Sequence, residues 1–233
     1  MKNIVISAPI RNKEKILGRF LEGISNLDYP KKNLSLYWLL NNSIDKSEEI
    51  LRGFREEYRG IRINTHNFDD NPPLDKRVGD IRKNYTCPHL AVLRNIIIDK
   101  FKKDKDAQYL LMLDTDTIVE PLLLKHLLKA KKDILTVLLD VDFEKGVLYN
   151  IFRLDKESNE MIRWTKKEIQ NADGLFQVDI FGGGLLFIGK NMTNIKFENH
   201  DFGEFIGYSL NAIGKKAKIW CLKEPILATH KMD

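Results

Sequence analysis

Apolar residues in the first 140 positions follow two patterns, short continuous runs and stretches with helical spacing. The continuous runs predict buried strands at 4–10, 34–40, 61–64, 109–113 and 134–139. Apolar residues three and four positions apart predict helices at 14–27, 46–58, 89–101 and 120–130. Strands that alternate with helices of this length are typical of a parallel sheet with crossover connections.

The pattern changes after about residue 141. It predicts strands within 147–154 and 175–189 with no strong helix between them, then a helix at 203–213, a strand at 218–222 and a tail at 225–233. The polar stretch 68–87 predicts a long loop of a length typical of functional or mobile segments. We interpret the chain, 1–233, as one α/β domain with a mostly parallel central sheet flanked by helices. Residues 1–140 form one half of it, and residues 141–233 form a mixed second half.

Composition limits the classes of function. The 233 residues are 43% hydrophobic and 30% charged, which provides a sizeable core and excludes a disordered or coiled-coil chain. The net charge of +5 comes from interleaved acids and bases, which suits an anionic small molecule and gives no nucleic-acid signature. Two distant cysteines, no signal peptide and no membrane-spanning run predict a cytoplasmic protein. The oligomeric state is left open.

The strongest candidate chemistry is Asp114-Thr115-Asp116, directly after a predicted buried strand. Two carboxylates at the carboxyl edge of a sheet suit Mg²⁺ or Mn²⁺ that also holds substrate phosphates. Asp-x-Asp also occurs at 104–106, in a lysine-rich turn that we interpret as solvated surface, and at 140–142. Residues 140–142 also follow an apolar strand, so this second pair competes with the first.

Polar side chains also follow the first two strands. Pro9 and Arg11 lie at the end of the first strand, and Asn41 and Asp45 follow the second. Ser43 or Asp45 suits the N-cap of the helix at 46–58, and the functional alternative places Asn41 against a base or ribose. Neither a Gly-x-Gly-x-x-Gly nor a P-loop motif is present. Arg94 lies on a predicted helix, where its spacing fits either a solvated charge or a side chain that leans towards the crevice.

The second half carries three further candidates. The glycines 182–184 open a strand, which indicates either a bulge or the close approach of a ligand or another backbone. Asp201 and Glu204 precede or open a helix, either as acids that favour its dipole or as a catalytic base. His230 is either a surface residue of the tail or the imidazole that completes a metal site with carboxylates.

In this order and spacing, the segments resemble the GT-A fold of glycosyltransferases that use nucleotide sugars, over nearly the whole chain. The chain looks like the inverting family 2. It looks at least as much like the fungal mannan-polymerase α-mannosyltransferases, through Leu27-Asp28-Tyr29-Pro30, Arg94-Asn95, the triple glycine and Gly203-Glu204.

This resemblance implies that a hexose moves from a UDP- or GDP-linked sugar to a hydroxyl of a carbohydrate, lipid-linked or protein acceptor, with Mn²⁺ or Mg²⁺. It implies a metal set in which Asp116 is the direct ligand, Asp114 reaches ribose or metal-bound water, and His230 joins the shell. Asn41 and Asp45 match positions near the base and ribose, and Arg94 would face the diphosphate. The expected donor-binding set is Pro9, Arg11, Asn41, Asp45, Arg94, Asp114, Thr115 and Gly183.

The acceptor-side acid is less clear from the resemblance. Glu204 matches the first acid of the family 2 Glu-Asp motif, but Phe205 stands where the Asp belongs. Either Asp201 replaces it, or the enzyme is of the retaining kind. Of the two acids, we expect Glu204 to orient or deprotonate the acceptor hydroxyl, with Asp201 as the alternative. Because Asp201 and Glu204 are three residues apart, we expect both on the crevice side, where like charges would raise the pKa of one of them.

Three other readings remain open at this stage. In a haloacid-dehalogenase-like phosphatase, Asp114 would be the nucleophile and Asp116 the acid/base, but three strands precede this motif and no Asp-Asp pair follows it. A sugar-1-phosphate nucleotidyltransferase requires a glycine-rich loop that is absent at 8–13. A non-catalytic carbohydrate-binding domain of the same fold would lack metal-dependent hydrolysis of a nucleotide sugar.

Overall fold

The computed structural model describes residues 1–54, 57–70, 82–143, 146–155, 157–158, 160–223 and 227–230. Within these ranges, the side chains of residues 82, 140–149 and 230 are not described. Most of the predicted loop at 68–87 therefore lies outside the described residues. Its end, Arg82–Thr86, forms a π-helical turn.

The described part of the chain contains strands and helices throughout both halves. The strands are β1 (Ile4–Ile10), β2 (Leu34–Leu40), β3 (Gly60–Thr65), β4 (Tyr109–Leu113), β5 (Thr117–Val119), β6 (Ile134–Val137), β7 (Asp140–Phe143), β8 (Gly146–Tyr149), β9 (Ile151–Leu154), β10 (Met161–Arg163), β11 (Leu175–Val178), β12 (Ile180–Phe181), β13 (Leu185–Gly189), β14 (Ile219–Leu222) and β15 (Ala228–His230). The helices are α1 (Glu14–Ser25), α2 (Ser47–Gly53), α3 (Cys87–Lys103), α4 (Leu123–Ala130), α5 (Lys166–Asn171) and α6 (Glu204–Gly214).

Eight of these strands form one sheet in the order β11-β14-β6-β13-β4-β1-β2-β3. The block β4-β1-β2-β3 is parallel, as is the β6–β14 pair. β13 runs antiparallel to both of its neighbours, and β11 runs antiparallel to β14 at one edge. This confirms the predicted α/β class with a mostly parallel sheet, and both halves of the chain contribute to the same sheet.

The continuous apolar strands are explained by helices on both faces of the sheet. Along β4, Leu111 and Leu113 pack in the cluster that also holds residues of α1 and α4. The alternate residues, Leu110 and Met112, pack in the cluster of α3 and α6. A strand that is buried on both faces needs apolar side chains at every position, which is why no alternation appears in the sequence.

The short elements differ most from the predictions. Helix α4 begins at Leu123 because Thr117–Val119 form β5, which pairs with β15 in the segment predicted as tail. The run 147–154 contains two strands, and the short helix α5 was missed although Thr165 and Glu168 form a capping box. Three-residue strands depend on a distant partner rather than on local pattern, so periodicity does not reveal them.

Among the described residues, no helix combines the length and the apolar character needed to cross a bilayer.

Candidate functional site

The candidate donor residues follow neighbouring parallel strands. Because β4, β1 and β2 are adjacent and parallel, Asp114, Arg11 and Asn41 leave the sheet at the same edge. The backbone amide of Asn41 donates to the carbonyl of Ile10 at 2.9 Å, which joins the segments that follow β1 and β2. The sheet thus assembles the predicted cluster at its carboxyl edge, the usual crevice for ligands in open α/β sheets.

Arg94 is the buried centre of this edge. Its side chain is 1% exposed, and it forms ion pairs with both Asp114 and Glu204. Arg94 Nε donates to Glu204 Oε1 at 2.9 Å, and Nη2 donates to Asp114 Oδ1. The guanidinium also lies over the ring of Phe205, 4.1 Å from its centroid. The structure therefore answers the question that spacing left open, because Arg94 faces the crevice and is not a solvated charge.

The three charges stabilise one another. Burial lowers the pKa of Arg94, but the neighbouring carboxylates of Asp114 and Glu204 outweigh this effect and raise the pKa above its ordinary value. Arg94 is therefore fully charged at neutral pH, and the three groups together carry a net charge of −1. A planar guanidinium satisfies two carboxylates in fixed directions, which the point charge of lysine does not do.

The triple glycine supplies a second anchor for Asp114. The Gly184 amide donates to Asp114 Oδ2 at 2.8 Å, and the Asp114 amide donates to the Gly184 carbonyl at 2.9 Å. Gly184 has φ +88°, and a Cβ there would lie 2.0 Å from Leu139 Cδ1. Gly183 has φ +132°, and its Cβ would lie 3.3 Å from Asp114 Oδ2. The glycines thus allow the backbone at 183–184 to come close to the side chain of Asp114.

Asn150 was not anticipated from the sequence. Its side chain is buried, donates to the Gly183 carbonyl at 3.1 Å and accepts from the Leu139 amide at 2.9 Å. The backbone carbonyl of Asn150 accepts from the Gly182 amide at 2.7 Å. One asparagine between two short strands carries no sequence signal of this role, because its partners lie 11 and 33 positions away.

The remainder of the Asp-x-Asp motif leads into β5. Thr115 is buried and Asp116 is half-buried. The next residue, Thr117, pairs with His230 in the antiparallel β5–β15 ladder. The segment predicted as tail therefore runs beside the motif, although the His230 side chain lies outside the described part of the structure. Among the described side chains, no three His, Cys, Asp or Glu residues are grouped to hold a metal.

Asn41 and Asp45 have clear structural partners. Asn41 Nδ2 donates to Asn42 Oδ1 at 2.6 Å and to the His66 carbonyl at 3.1 Å, which ties the end of β2 to the segment after β3. Asp45 accepts from the amides of Glu14 and Ser47, at the starts of α1 and α2. Burial raises the pKa of Asp45, but these hydrogen bonds outweigh it and hold the pKa below its ordinary value. Lys46, and not Asp45, occupies the N-cap position of α2, so Asp45 holds the first amides of both helices from the residue before the N-cap. Its role towards ribose stays a prediction.

Asp201 and Glu204 do not form the expected pair of like charges. Glu204 is 4% exposed and faces Arg94, whereas Asp201 is 60% exposed and pairs with Lys83 at 2.7 Å. The expected pairing of the two like charges is therefore wrong, because each carboxylate pairs with a different cation. Gly203, with φ +126°, turns the chain between them, so only Glu204 enters the helix.

The other Asp-x-Asp segments differ from the first. Asp104 accepts from the amides of Asp106 and Ala107, which makes it a turn-forming residue, and Asp106 is exposed beside Arg59. The second pair begins β7, and the side chains of residues 140–149 are not described. The choice between this pair and Asp114 with Asp116 as the metal site is therefore tested by the aspartate-to-asparagine variants described below.

A sequence model of glycosyltransferase family 25, N-terminal domain, matches residues 1–185. The match covers most of the chain, so the chain belongs to this family of glycosyltransferases. No curated protein matches the chain in sequence.

Solved structures of similar fold include three with high coverage of this chain. The match to S. aureus TarS 1-349, in complex with UDP-GlcNAc, has a TM-score of 0.64 at 14% identity. It covers 100% of this chain and 59% of the TarS chain. The match to mannosyltransferase PcManGT from Pyrobaculum calidifontis, in complex with GDP-Man and Mn²⁺, has a TM-score of 0.60 at 12% identity. It covers 98% of this chain and 56% of the PcManGT chain. A197 from STIV has a TM-score of 0.50 at 16% identity, covering 99% and 86%.

These likenesses show the fold, which is of the GT-A type predicted from the sequence. The chain spans less than two thirds of the length of TarS 1-349 or PcManGT. The finer resemblance to the fungal mannan-polymerase enzymes is not confirmed by these comparisons.

Replacement of Arg94 by methionine tests the buried ion pairs. Arg94→Met keeps most of the packing against Phe205 but leaves Glu204 as a buried, uncompensated carboxylate, so we expect a loss of about 3–5 kcal/mol in the free energy of unfolding. Denaturant unfolding measures this loss. Arg52→Met is the control, because Arg52 forms an exposed pair with Glu48 one helical turn away, worth about 0.3–0.5 kcal/mol. Equal losses in the two variants would contradict the account.

Proposed function

We propose that this chain transfers a hexose from a UDP- or GDP-linked sugar to a hydroxyl of a carbohydrate, lipid-linked or protein acceptor, with Mn²⁺ or Mg²⁺. The observation that carries the proposal is the fixed carboxylate of Asp114. Arg94 and the Gly184 amide hold it at the end of the central strand β4, two residues from Asp116. Membership of a glycosyltransferase family supports the same reaction. The nucleotide sugars in the structures of TarS and PcManGT, UDP-GlcNAc and GDP-Man, support this donor class.

The donor atoms at this edge fit a hard divalent cation. Arg94, Asp114 and Glu204 sum to one negative charge, and Asp116 adds another, so the site attracts a cation despite the buried arginine. Carboxylate oxygens are the ligands that Mg²⁺ and Mn²⁺ favour. In this proposal Asp116 holds the metal directly, with Asp114 and His230 as its companions. The cation, when bound, neutralises the leaving diphosphate.

The other residues bind and orient the donor. Gly183 and Gly184 place backbone, with no side chain, against Asp114. Arg11, Asn41 and Thr115 lie at the ends of the strands beside it and are proposed, with Pro9 and Asp45, as the nucleotide side of the site. Because Arg94 is buried behind Asp114, its proposed action on the diphosphate passes through that carboxylate.

For the acceptor side we propose Asp201 rather than Glu204. Asp201 is exposed, whereas the Glu204 carboxylate is buried and accepts from Arg94. A general base must reach the hydroxyl proton directly or through one water. In this step the acceptor O–H bond breaks, its proton passes to the Asp201 carboxylate, and the acceptor oxygen forms the new bond to the sugar carbon that releases the diphosphate.

Asp116→Asn tests the metal site. At a nucleotide concentration of about 100 times Kd and in the presence of Mn²⁺, UDP or GDP should stabilise the parent protein by about 2.7 kcal/mol. This stabilisation should be lost in the variant. Thermal unfolding with and without Mn²⁺ measures it for both nucleotides. Asp106→Asn is the matched control, since it changes an exposed aspartate of a second Asp-x-Asp segment. Retained binding in Asp116→Asn, together with loss in Asp142→Asn, would move the site to the second pair.

Asp201→Asn tests the acceptor side. We expect release of sugar from UDP-GlcNAc or GDP-Man to fall by about 10²–10⁴-fold, the typical cost of a lost general base. Nucleotide affinity, measured by calorimetry, should stay near that of the parent. Asp99→Asn serves as control because Asp99 is another exposed aspartate paired with a lysine, Lys196. Unchanged turnover in Asp201→Asn would rule out this role.

A further inference from the structure

We propose that Glu204 is a positioning residue that sets the metal affinity of the donor site by balancing the charge of Arg94. This inference rests on the proposed function and assigns Glu204 a role different from that of the acceptor base. The geometry that carries it is one guanidinium shared between two carboxylates, Asp114 on the metal side and Glu204 on the buried side.

The sharing is directional. Arg94 donates from Nε to Glu204 and from Nη2 to Asp114, so each carboxylate binds a different nitrogen of the guanidinium. The ring of Phe205, 4.1 Å away, lies over this plane, and the ring of Phe197 lies 5.7 Å away. If the Arg94 side chain moved towards Asp114, its buried hydrogen bond to Glu204 would break.

The charge argument follows from this arrangement. A cation next to a metal ligand repels a divalent ion, and the repulsion is strong where little water screens it. Glu204 supplies the compensating negative charge, so that Arg94, Asp114 and Glu204 total −1. With a neutral side chain at 204 the total becomes 0, and Asp114 becomes the sole counter-ion of Arg94. The carboxylate offered to the metal is then largely neutralised.

Burial separates this role from that of a base. The side chain of Glu204 is 4% exposed, while that of Asp114 is 29% exposed. An acceptor hydroxyl must therefore displace packed protein to reach Glu204, whereas Asp114 already meets the solvent at the sheet edge. Outer-shell partners of metal ligands act in this way, through the ligand and not on the substrate.

Glu204→Gln, which keeps the shape and can still accept from Arg94 Nε, isolates the charge. We expect Kd for Mn²⁺ in the presence of UDP or GDP to rise about 10–100-fold, the usual effect of a lost outer-shell partner. Turnover of UDP-GlcNAc or GDP-Man at saturating Mn²⁺ should stay close to that of the parent. Calorimetry gives the affinity, and sugar release gives the turnover.

Two further variants keep the test decisive. Glu204→Asp retains the charge and should bind Mn²⁺ more tightly than Glu204→Gln. The double variant Arg94→Met/Glu204→Gln removes one charge of each sign and keeps the total at −1, but it also removes the Arg94 anchor of Asp114. It should bind Mn²⁺ more tightly than Glu204→Gln. If Glu204→Gln does not fold by circular dichroism, the double variant decides the matter. A Kd for the double variant less than about 100-fold weaker than that of the parent supports the proposal, and a larger loss, beyond that of one missing outer-shell partner, overturns it.

The failures are distinguishable. Unchanged Mn²⁺ affinity in Glu204→Gln with a large fall in turnover would make Glu204 the base. That result would overturn this inference and the assignment of Asp201, while the proposed hexose transfer stands. A parent protein that binds neither UDP nor GDP in the presence of Mn²⁺ would overturn both.

Discussion

A buried arginine between two carboxylates connects the parts of this protein. Arg94 lies on α3, Asp114 follows β4, and Glu204 opens α6, so the ion pairs join a helix, the central sheet and the last helix. Taking Arg94 and Glu204 out of water is costly, and good geometry with hydrogen bonds between the charged groups must offset that cost. The protein retains this costly arrangement at the edge of the sheet where the strand ends converge. The interaction thus serves the site at least as much as the stability of the fold.

The same aspartate joins the two halves of the chain. β4 from the first half pairs antiparallel with β13 from the second, and the glycines before β13 meet Asp114 at the top of this pair. Asn150, from another part of the second half, fixes the carbonyl of Gly183. The position of Asp114 therefore depends on contacts from residues 70 positions away, and the site exists only when both halves are folded.

The sequence predicted much of this fold and less of the site. The long buried strands β1, β2 and β4 were predicted with their observed bounds, because burial on both faces leaves an unbroken apolar run. The Asp-x-Asp motif and the triple glycine were also recognised. The pairing of Arg94, the role of Asn150 and the β5–β15 ladder were not, because each depends on tertiary partners that leave no periodic signal. Asp201 and Glu204 were wrongly grouped because helical spacing was assumed across Gly203, where φ is +126°.

The location of the metal is the most direct test of this account. Crystals grown with Mn²⁺ and UDP or GDP, measured at the manganese absorption edge, give an anomalous map that identifies the ion without assumptions about its ligands. The account predicts a single strong peak at Asp116, beside the Asp114 carboxylate that Arg94 and Gly184 hold. A peak at Asp140 and Asp142, or a bound nucleoside diphosphate with no manganese beside Asp116, would contradict it.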